Sequence, residues 1–322
     1  MSRLFFMPHR GTRSSLTSGI TLAVFFLTLL MAGGCSEKSG EDKLPHRTVV
    51  TRSTEDVFEL FDSVGYTAEN WANGVREIPR IYMTRIPERW KTESDKIPVV
   101  RKKQIFFRLL APVILRANEL IVMEREDLEN LSAMNPESGS PEMKALLDLG
   151  RKYKVTAEDD ESLTAEQLAE LENRIDVIPP SLALAQGAEE SGWGTSRFAL
   201  LGNSLFGQWD FSGKGIKPEQ QRSELGDYGL AAFETPLEAV IAYTRNLNTH
   251  RAYARMRILR AEIRQKGNEP TGFELADTLD KYSERGQVYV DGLHAIMRVN
   301  KLAATDAAHL ANDEVILIEP AE

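Results

Sequence analysis

The sequence predicts a mainly α-helical protein with one small β element. Three observations carry this: apolar residues recur at helical spacing, helix-start signatures occur twice, and strand signals are few. Phe106, Phe107, Leu110, Val113 and Ile114 share one stripe, which Leu120, Met123 and Leu128 extend. Thr164 is followed three residues on by Gln167, and Thr235-Pro236 by Glu238. In such patterns side chains close the free amides of a helix's first turn. The best strand runs from Tyr228 to Phe233, with a partner near Gly215 to Lys217.

The chain opens on what reads as an address, over residues 1–35. Arg3, His9, Arg10 and Arg13 precede an uncharged run that ends in Met-Ala-Gly-Gly-Cys. Basic, then apolar, then small is the order of a secretory signal. The ending resembles a bacterial lipobox with Cys35 as acyl acceptor, which also accounts for the chain's single cysteine. An uncleaved membrane anchor is the other reading, since the run is long enough to span a bilayer. Ser36, rather than Asp, follows the cysteine; by resemblance to Gram-negative lipoproteins, that points to a periplasmic protein lipid-anchored to the outer membrane.

Residues 36–52 are polar and charged and are expected to be a flexible tether. A helical region is expected over 53–158, interrupted by the turn-rich stretch from Ser132 to Glu142 and resumed by a helix from Pro141 to Tyr153. A second unit is expected over 159–304. Its first helix opens at Thr164 with Leu168 and Leu171 facing inward, Pro179-Pro180 restarts the chain, and another helix follows Thr235. A further helix carries Leu275, Leu279 and Tyr282 and ends at Arg285-Gly286, before a last helix from Val288 to Asn300. Residues 305–322 are acidic and are expected to be a mobile tail.

The totals bound the function. Of 322 residues, 42% are hydrophobic and 27% charged, the balance of a water-soluble globular protein. A formal net charge of -9 disfavours nucleic acid as a partner. One cysteine and five scattered histidines provide no Cys/His cage, so neither metal nor other cofactor is expected.

Chemistry concentrates in the stretch AQGAEESGWGTSRFALLGNSLFGQWDF, residues 185–211. On a helix Ala183, Gln186, Gly187 and Glu190 share a stripe. Glu189 lies ~100° round the axis from Glu190, so the two cannot act as one carboxylate pair. The small residues beneath Glu190 are expected to let backbone or substrate approach it. Gly192 and Gly194 permit a sharp turn, and Trp193 offers an apolar wall. A carboxyl in such a partly desolvated cleft keeps its proton toward neutral pH and can deliver it to a glycosidic oxygen. Spacing alone leaves a second reading open, two solvated glutamates ending a helix.

The segment ESGWGTSRFALLGNSLFGQW resembles the catalytic core of the N-acetylglucosaminidases of glycoside hydrolase family 73, with its A-Q-A-x-x-E-S-G-W-G-x-S and G-N-N-L-F-G motifs. The later NLNTHRAY (Asn246 to Tyr253) and KYSERGQVYVDGLHAIMRVN (from Lys281) are similar to the Bax-type branch, and the likeness spans about residues 165–302. It implies a lysozyme-like helical fold with a small β lobe, peptidoglycan glycan strands as partner, and hydrolysis of the β-1,4 link after N-acetylglucosamine. It places Glu190 at the general-acid position and Tyr282 at that of an active-site tyrosine. Trp193, Asn203, Phe206 and Trp209 become candidate sugar contacts, the aromatics being equally candidates for the core. In this family a second carboxylate lies in the β lobe. Here the aligned position is Gly229, a departure, with Asp227 and then Glu224 the nearest substitutes. Without a second carboxylate, the substrate's own acetamido group could act as nucleophile.

The rival readings are a lytic transglycosylase or muramidase of the same superfamily, and a non-catalytic glycan-binding envelope lipoprotein. Two basic rows remain: Arg101-Lys102-Lys103, and the arginines Arg245, Arg251, Arg255, Arg257, Arg260 and Arg264. They suit lipid head groups or stem-peptide carboxylates, or are plain solvated faces.

Overall fold

Val315-Ile316-Leu317-Ile318 is an apolar run near the carboxyl end, and it becomes the middle of a sheet. Strand β5 (His309–Pro320) pairs in parallel with β1 (His46–Thr51) on one side and β2 (Glu77–Met83) on the other. Val315 stands opposite both His46 and Arg80. A central parallel strand is covered on both faces and therefore reads as a continuous apolar run; Val315, Ile316 and Ile318 are buried. The computed structural model describes residues 40–210, 212–217 and 228–321. The signal segment, Cys35, Glu224 and Asp227 lie outside the described residues.

This sheet corrects two expectations. The stretch 36–52 is not tether throughout, because His46–Thr51 is a strand. The segment 305–322 is not a mobile tail but the sheet's centre, and Glu314 pairs with Arg47 of β1 at 3.0 Å.

The upstream helices pack around one axle. Helix α1 (Thr54–Ser63) is capped by the Ser53 hydroxyl, which accepts from Asp56 N at 3.1 Å. Two short helices, α2 (Ala68–Ala72) and α3 (Trp90–Glu93), flank β2. The axle is α4 (Val99–Ala133), 35 residues long and continuous through Pro112. Phe106, Leu110, Val113, Ile114 and Leu128 are buried on it as expected, with Ile121 taking the place expected for Leu120 and Met123. Helix α5 (Pro141–Lys152) returns along it.

The downstream helices begin where the sequence says. In α6 (Ala165–Arg174) the capping box is complete: Thr164 Oγ1 accepts from Gln167 N at 3.1 Å, and Gln167 Oε1 accepts from Thr164 N at 2.9 Å. Helix α7 (Pro180–Ser191) starts at the proline pair, and α8 (Arg197–Gly202) follows it. Two-residue strands β3 (Trp209–Asp210) and β4 (Gly229–Leu230) pair antiparallel, with Ile216 bridging to Leu230, and form the small β lobe. In α9 (Pro236–Thr249) Thr235 caps as expected, but the Glu238 carboxylate takes the amide of Glu234 rather than that of Thr235. The last helices are α10 (Ala254–Gln265), α11 (Gly272–Ala276) and α12 (Gln287–Val299). The expected helix through Tyr282 stops at Ala276. Turns bonded three residues apart then carry the chain to Gly286 at φ 55°.

No packing seam falls at residue 158. One hydrophobic cluster joins Phe61, Ile81 and Ile114 to Leu182, Tyr243 and Leu293, and a second joins Leu128 and Leu146 to Leu171. The upstream region and the downstream unit share a core.

Candidate active site

Helix α7 runs through that core, buried from Pro180 to Ala188. A Cβ at Gly187 would lie 2.8 Å from Leu110 Cδ2 and 3.5 Å from the Phe206 ring. The small residues below Glu190 therefore admit α4 and Phe206, and do not form a floor open to substrate. The helix ends where Gly192 adopts φ 57° and its N–H bonds Ala188 O. Trp193 and Gly194 follow at φ 63° and 77°. A bulky residue in the left-handed region is strained and persists only where its surroundings hold it. Trp90 Nε1 donates to Trp193 O at 2.9 Å, and Gly194 N donates to Ser191 Oγ at 2.8 Å. The half-buried Trp193 ring packs 5.6 Å from Phe106 and 5.2 Å from Phe107, with the Lys103 ammonium 4.8 Å over its face.

Glu190, half-buried on the last turn of α7, meets Gly207 of the Leu-Phe-Gly segment. Gly207 sits at φ 61°, and a Cβ there would come within 3.3 Å of Glu190 Oε2, so the glycine makes room for the carboxylate. Burial raises the carboxyl's proton affinity, the neighbouring Glu189 charge pushes the same way, and the Tyr289 hydroxyl and Arg285 oppose them. The net direction is up, which suits a proton donor. Glu189 turns aside to pair with Arg285 at 2.7 Å.

Behind Glu190 runs a chain of hydrogen bonds built from three helices. Tyr243 Oη donates to Gln186 Oε1 at 2.7 Å, and Gln186 Nε2 donates to Tyr289 Oη at 2.9 Å. The Tyr289 proton is thereby left for the Glu190 carboxylate, to which it bonds. Burial holds the Tyr243 and Tyr289 hydroxyls far above their ordinary proton affinity, so both remain donors. Because the Tyr289 bond favours ionised Glu190, Tyr289→Phe is expected to move the basic limb of the pH–rate profile to higher pH. It also lowers kcat about tenfold, the worth of one hydrogen bond to a charged group. An unmoved limb in a folded variant would remove Tyr289 from the positioning of Glu190.

The other residues singled out in the sequence divide. Tyr282 stacks on Tyr289 at 5.5 Å between centroids, and its hydroxyl donates to Phe206 O at 3.0 Å, pinning the Leu-Phe-Gly segment. Asn203 is buried with its amide fully engaged: Oδ1 accepts from Ile86 N, and Nδ2 donates to the carbonyls of Phe233 and Glu234. Phe206 is a core ring stacked 3.9 Å from Tyr243. Trp209 is 56% exposed beside Tyr228 and presents a free aromatic face. Tyr289, Tyr243 and Gln186 lay inside the quoted motifs or next to them, yet their convergence has no sequence signal.

Gly229 explains its own departure. A Cβ there would lie 2.7 Å from Gly215 C, so the β lobe closes backbone on backbone and leaves no space for a glutamate. Asp210 supplies a carboxylate nearby, but its oxygens take the amide and hydroxyl of Ser212. The three cavities noted on the described surface, of about 60, 460 and 740 Å³, open elsewhere, and Glu190 lines none of them. The basic rows are mostly struts: Arg101 pairs with Glu55, Lys102 with Asp95, Arg255 with Asp280, and Arg260 and Arg264 with Asp176. His250 caps the turn after α9, its Nδ1 accepting from Ala252 N.

Residues 165–302 match the Glucosaminidase family model, described as mannosyl-glycoprotein endo-beta-N-acetylglucosaminidase. Protein bax of Escherichia coli (strain K12) is 33% identical over 227 residues, 68% of this chain and 78% of that protein. The chain belongs to the Bax-type glucosaminidase family. No solved structure matched it. The Bax-type chain thus carries a glycan-cleaving hydrolase domain, and Glu190, Tyr282 and the tyrosines around them fall inside the matched residues. Its upstream region holds that domain beside the site through Trp90 on the turn after Glu190 and Ile86 on Asn203, and farther off through Asn118 on Ile178 and Arg125 on Glu172 and Ile175.

Proposed function

We propose that this protein is an envelope-tethered peptidoglycan hydrolase that cleaves the β-1,4 bond after N-acetylglucosamine, with Glu190 as general acid. The observation that carries the reading is the setting of Glu190: half-buried, raised in proton affinity by that burial, and held by a tyrosine hydroxyl. Glu190 hands its proton to the glycosidic oxygen as the bond to the leaving sugar breaks. Water completes the hydrolysis and its proton restores the acid. Trp209 offers a face on which a pyranose ring can stack. With position 229 filled by backbone contact, Asp227 or the substrate's own acetamido group takes the second role. The order of basic, apolar and small residues before Cys35 supports a lipid anchor, and Ser36 rather than Asp after it supports a periplasmic site at the outer membrane.

The test incubates purified residues 36–322 with sacculi and identifies the released sugars by mass spectrometry after reduction. Reduced N-acetylglucosamine ends support the reading. Anhydro-muramic ends would instead mark a lytic transglycosylase, and no release a non-catalytic glycan-binding protein. In the same assay Asp227→Asn is expected to cost less than Glu190→Gln; equal and complete loss would establish a two-carboxylate mechanism.

A further inference from the structure

We propose that the groove between α2, the first turns of α4 and the end of α12 binds the acidic stem peptide of the glycan strand being cleaved. The inference rests on the peptidoglycan reading above. The groove encloses about 460 Å³, and its charged lining residues are Lys103, Arg108 and Lys301, all cationic. Among the described residues that line it none is acidic, on a chain with 48 acidic residues against 39 Lys and Arg. A groove of one sign on a surface of the other selects an oppositely charged partner.

Arg108 is the residue that most needs an occupant. It is half-buried, and its guanidinium lies 5.5 Å over Phe61 and 5.6 Å over Tyr66. Asp62 attracts it from outside the groove, but no hydrogen bond or salt bridge among the described residues serves its donors. A planar fork held on aromatic faces is well suited to receive a carboxylate in two parallel bonds. The rim adds apolar contact, since Val99 is 66% exposed and Val299 71%. A peptide that carries carboxylates between alanine methyls matches both features. A bare anion would leave the valines unused, and an uncharged apolar segment would leave the cations unpaired.

The groove is also within reach of the acid. Phe107 and Lys103 line the groove and pack on the Trp193 ring, three residues after Glu190. A stem peptide of four residues spans at most ~14 Å when extended. It can thus hang from a sugar beside Glu190 and lay its carboxylates against Arg108 and Lys301.

The experiment titrates the free tetrapeptide of Gram-negative peptidoglycan into the Glu190→Gln protein, which binds without turnover, and follows amide shifts and affinity. Shifts are expected at the groove, with affinity falling about tenfold or more in Arg108→Glu, as for loss of a charge-assisted hydrogen bond. Lys301→Glu, an exposed change, is expected to weaken binding in the same direction and guards against misfolding of the first variant. With Glu190 intact, both variants should raise KM on whole sacculi and leave hydrolysis of amidase-stripped glycan strands unchanged. Tetrapeptide affinity equal to the parent's in both variants would overturn the proposal. So would binding of phosphatidylglycerol vesicles, but not tetrapeptide, that both variants abolish. If no sugar is released from either substrate, the hydrolase reading fails while the titration still decides the groove.

Discussion

Glu190→Gln is expected to lower the rate of sugar release by about 10²- to 10⁴-fold, the range a positioned general acid contributes. The amide keeps the shape and can still accept from Tyr289, so the fold is preserved while the proton is lost. The pH dependence carries the sign. Burial sets the Glu190 carboxyl above an ordinary glutamate, so the protonated, competent form persists to higher pH and activity falls as pH rises through that raised value. The residual activity of the glutamine variant should lack this basic limb. Glu189→Gln provides the control. Its charge raises the proton affinity of Glu190, so removing it moves the limb to lower pH and leaves most of the rate. The assignment of the acid fails if Glu189→Gln abolishes release while Glu190→Gln retains it.

What the sequence made legible follows from the range of the physics involved. The box at Thr164, the cap at Thr235 and the break at Pro179-Pro180 depend on residues within one turn of each other, and each stands where the spacing placed it. The local setting of Glu190 was legible for the same reason, since a helix end, glycines and an aromatic occur within five positions. The parallel sheet was not. Its strands come from residues 46–51, 77–83 and 309–320, and no local pattern announces that a charged segment and an acidic end will meet. The acids around Val315 masked the apolar run that a doubly covered strand requires. The chain from Tyr243 through Gln186 to Tyr289 was hidden likewise, because it forms only when α7, α9 and α12 are packed together. Asn203 and Phe206 were readable as part of a site motif, but their engaged amide and buried ring give them scaffolding roles that only the packing reveals.

The largest loss of stability is expected at Arg260, which lies in one of the basic rows and was readable as a solvated face. Its side chain is 1% exposed. One terminal nitrogen donates to the carbonyls of Asp176 and Val177 and to Asn248 Oδ1, and the other donates to the carbonyl of Asn173. Burial lowers its proton affinity and Asp176 opposes that, leaving it at about 10 and charged near neutrality. These bonds tie the linker that leads into α7 to α9 and α10, so they set the position from which the helix of Glu190 departs. Arg260→Met keeps the apolar stem but withdraws the donor from four acceptors, of which, among the described residues, Asp176 O alone keeps a second side-chain donor, Asn248 Nδ2. It is expected to cost about 3–5 kcal/mol, as for breaking a buried ion pair from one side. Set against the roughly 5–15 kcal/mol of a typical domain, that is a large fraction. Arg264→Met is the comparison. Arg264 also holds Asp176, at 2.7 Å, but its side chain is 31% exposed, so its loss should cost only about 1 kcal/mol. Urea unfolding decides: the midpoint should fall far more for Arg260→Met, with the slope unchanged. Equal midpoints for the two variants would mean that the linker is held by packing alone, and that the guanidinium at 260 is not the strut that aims α7.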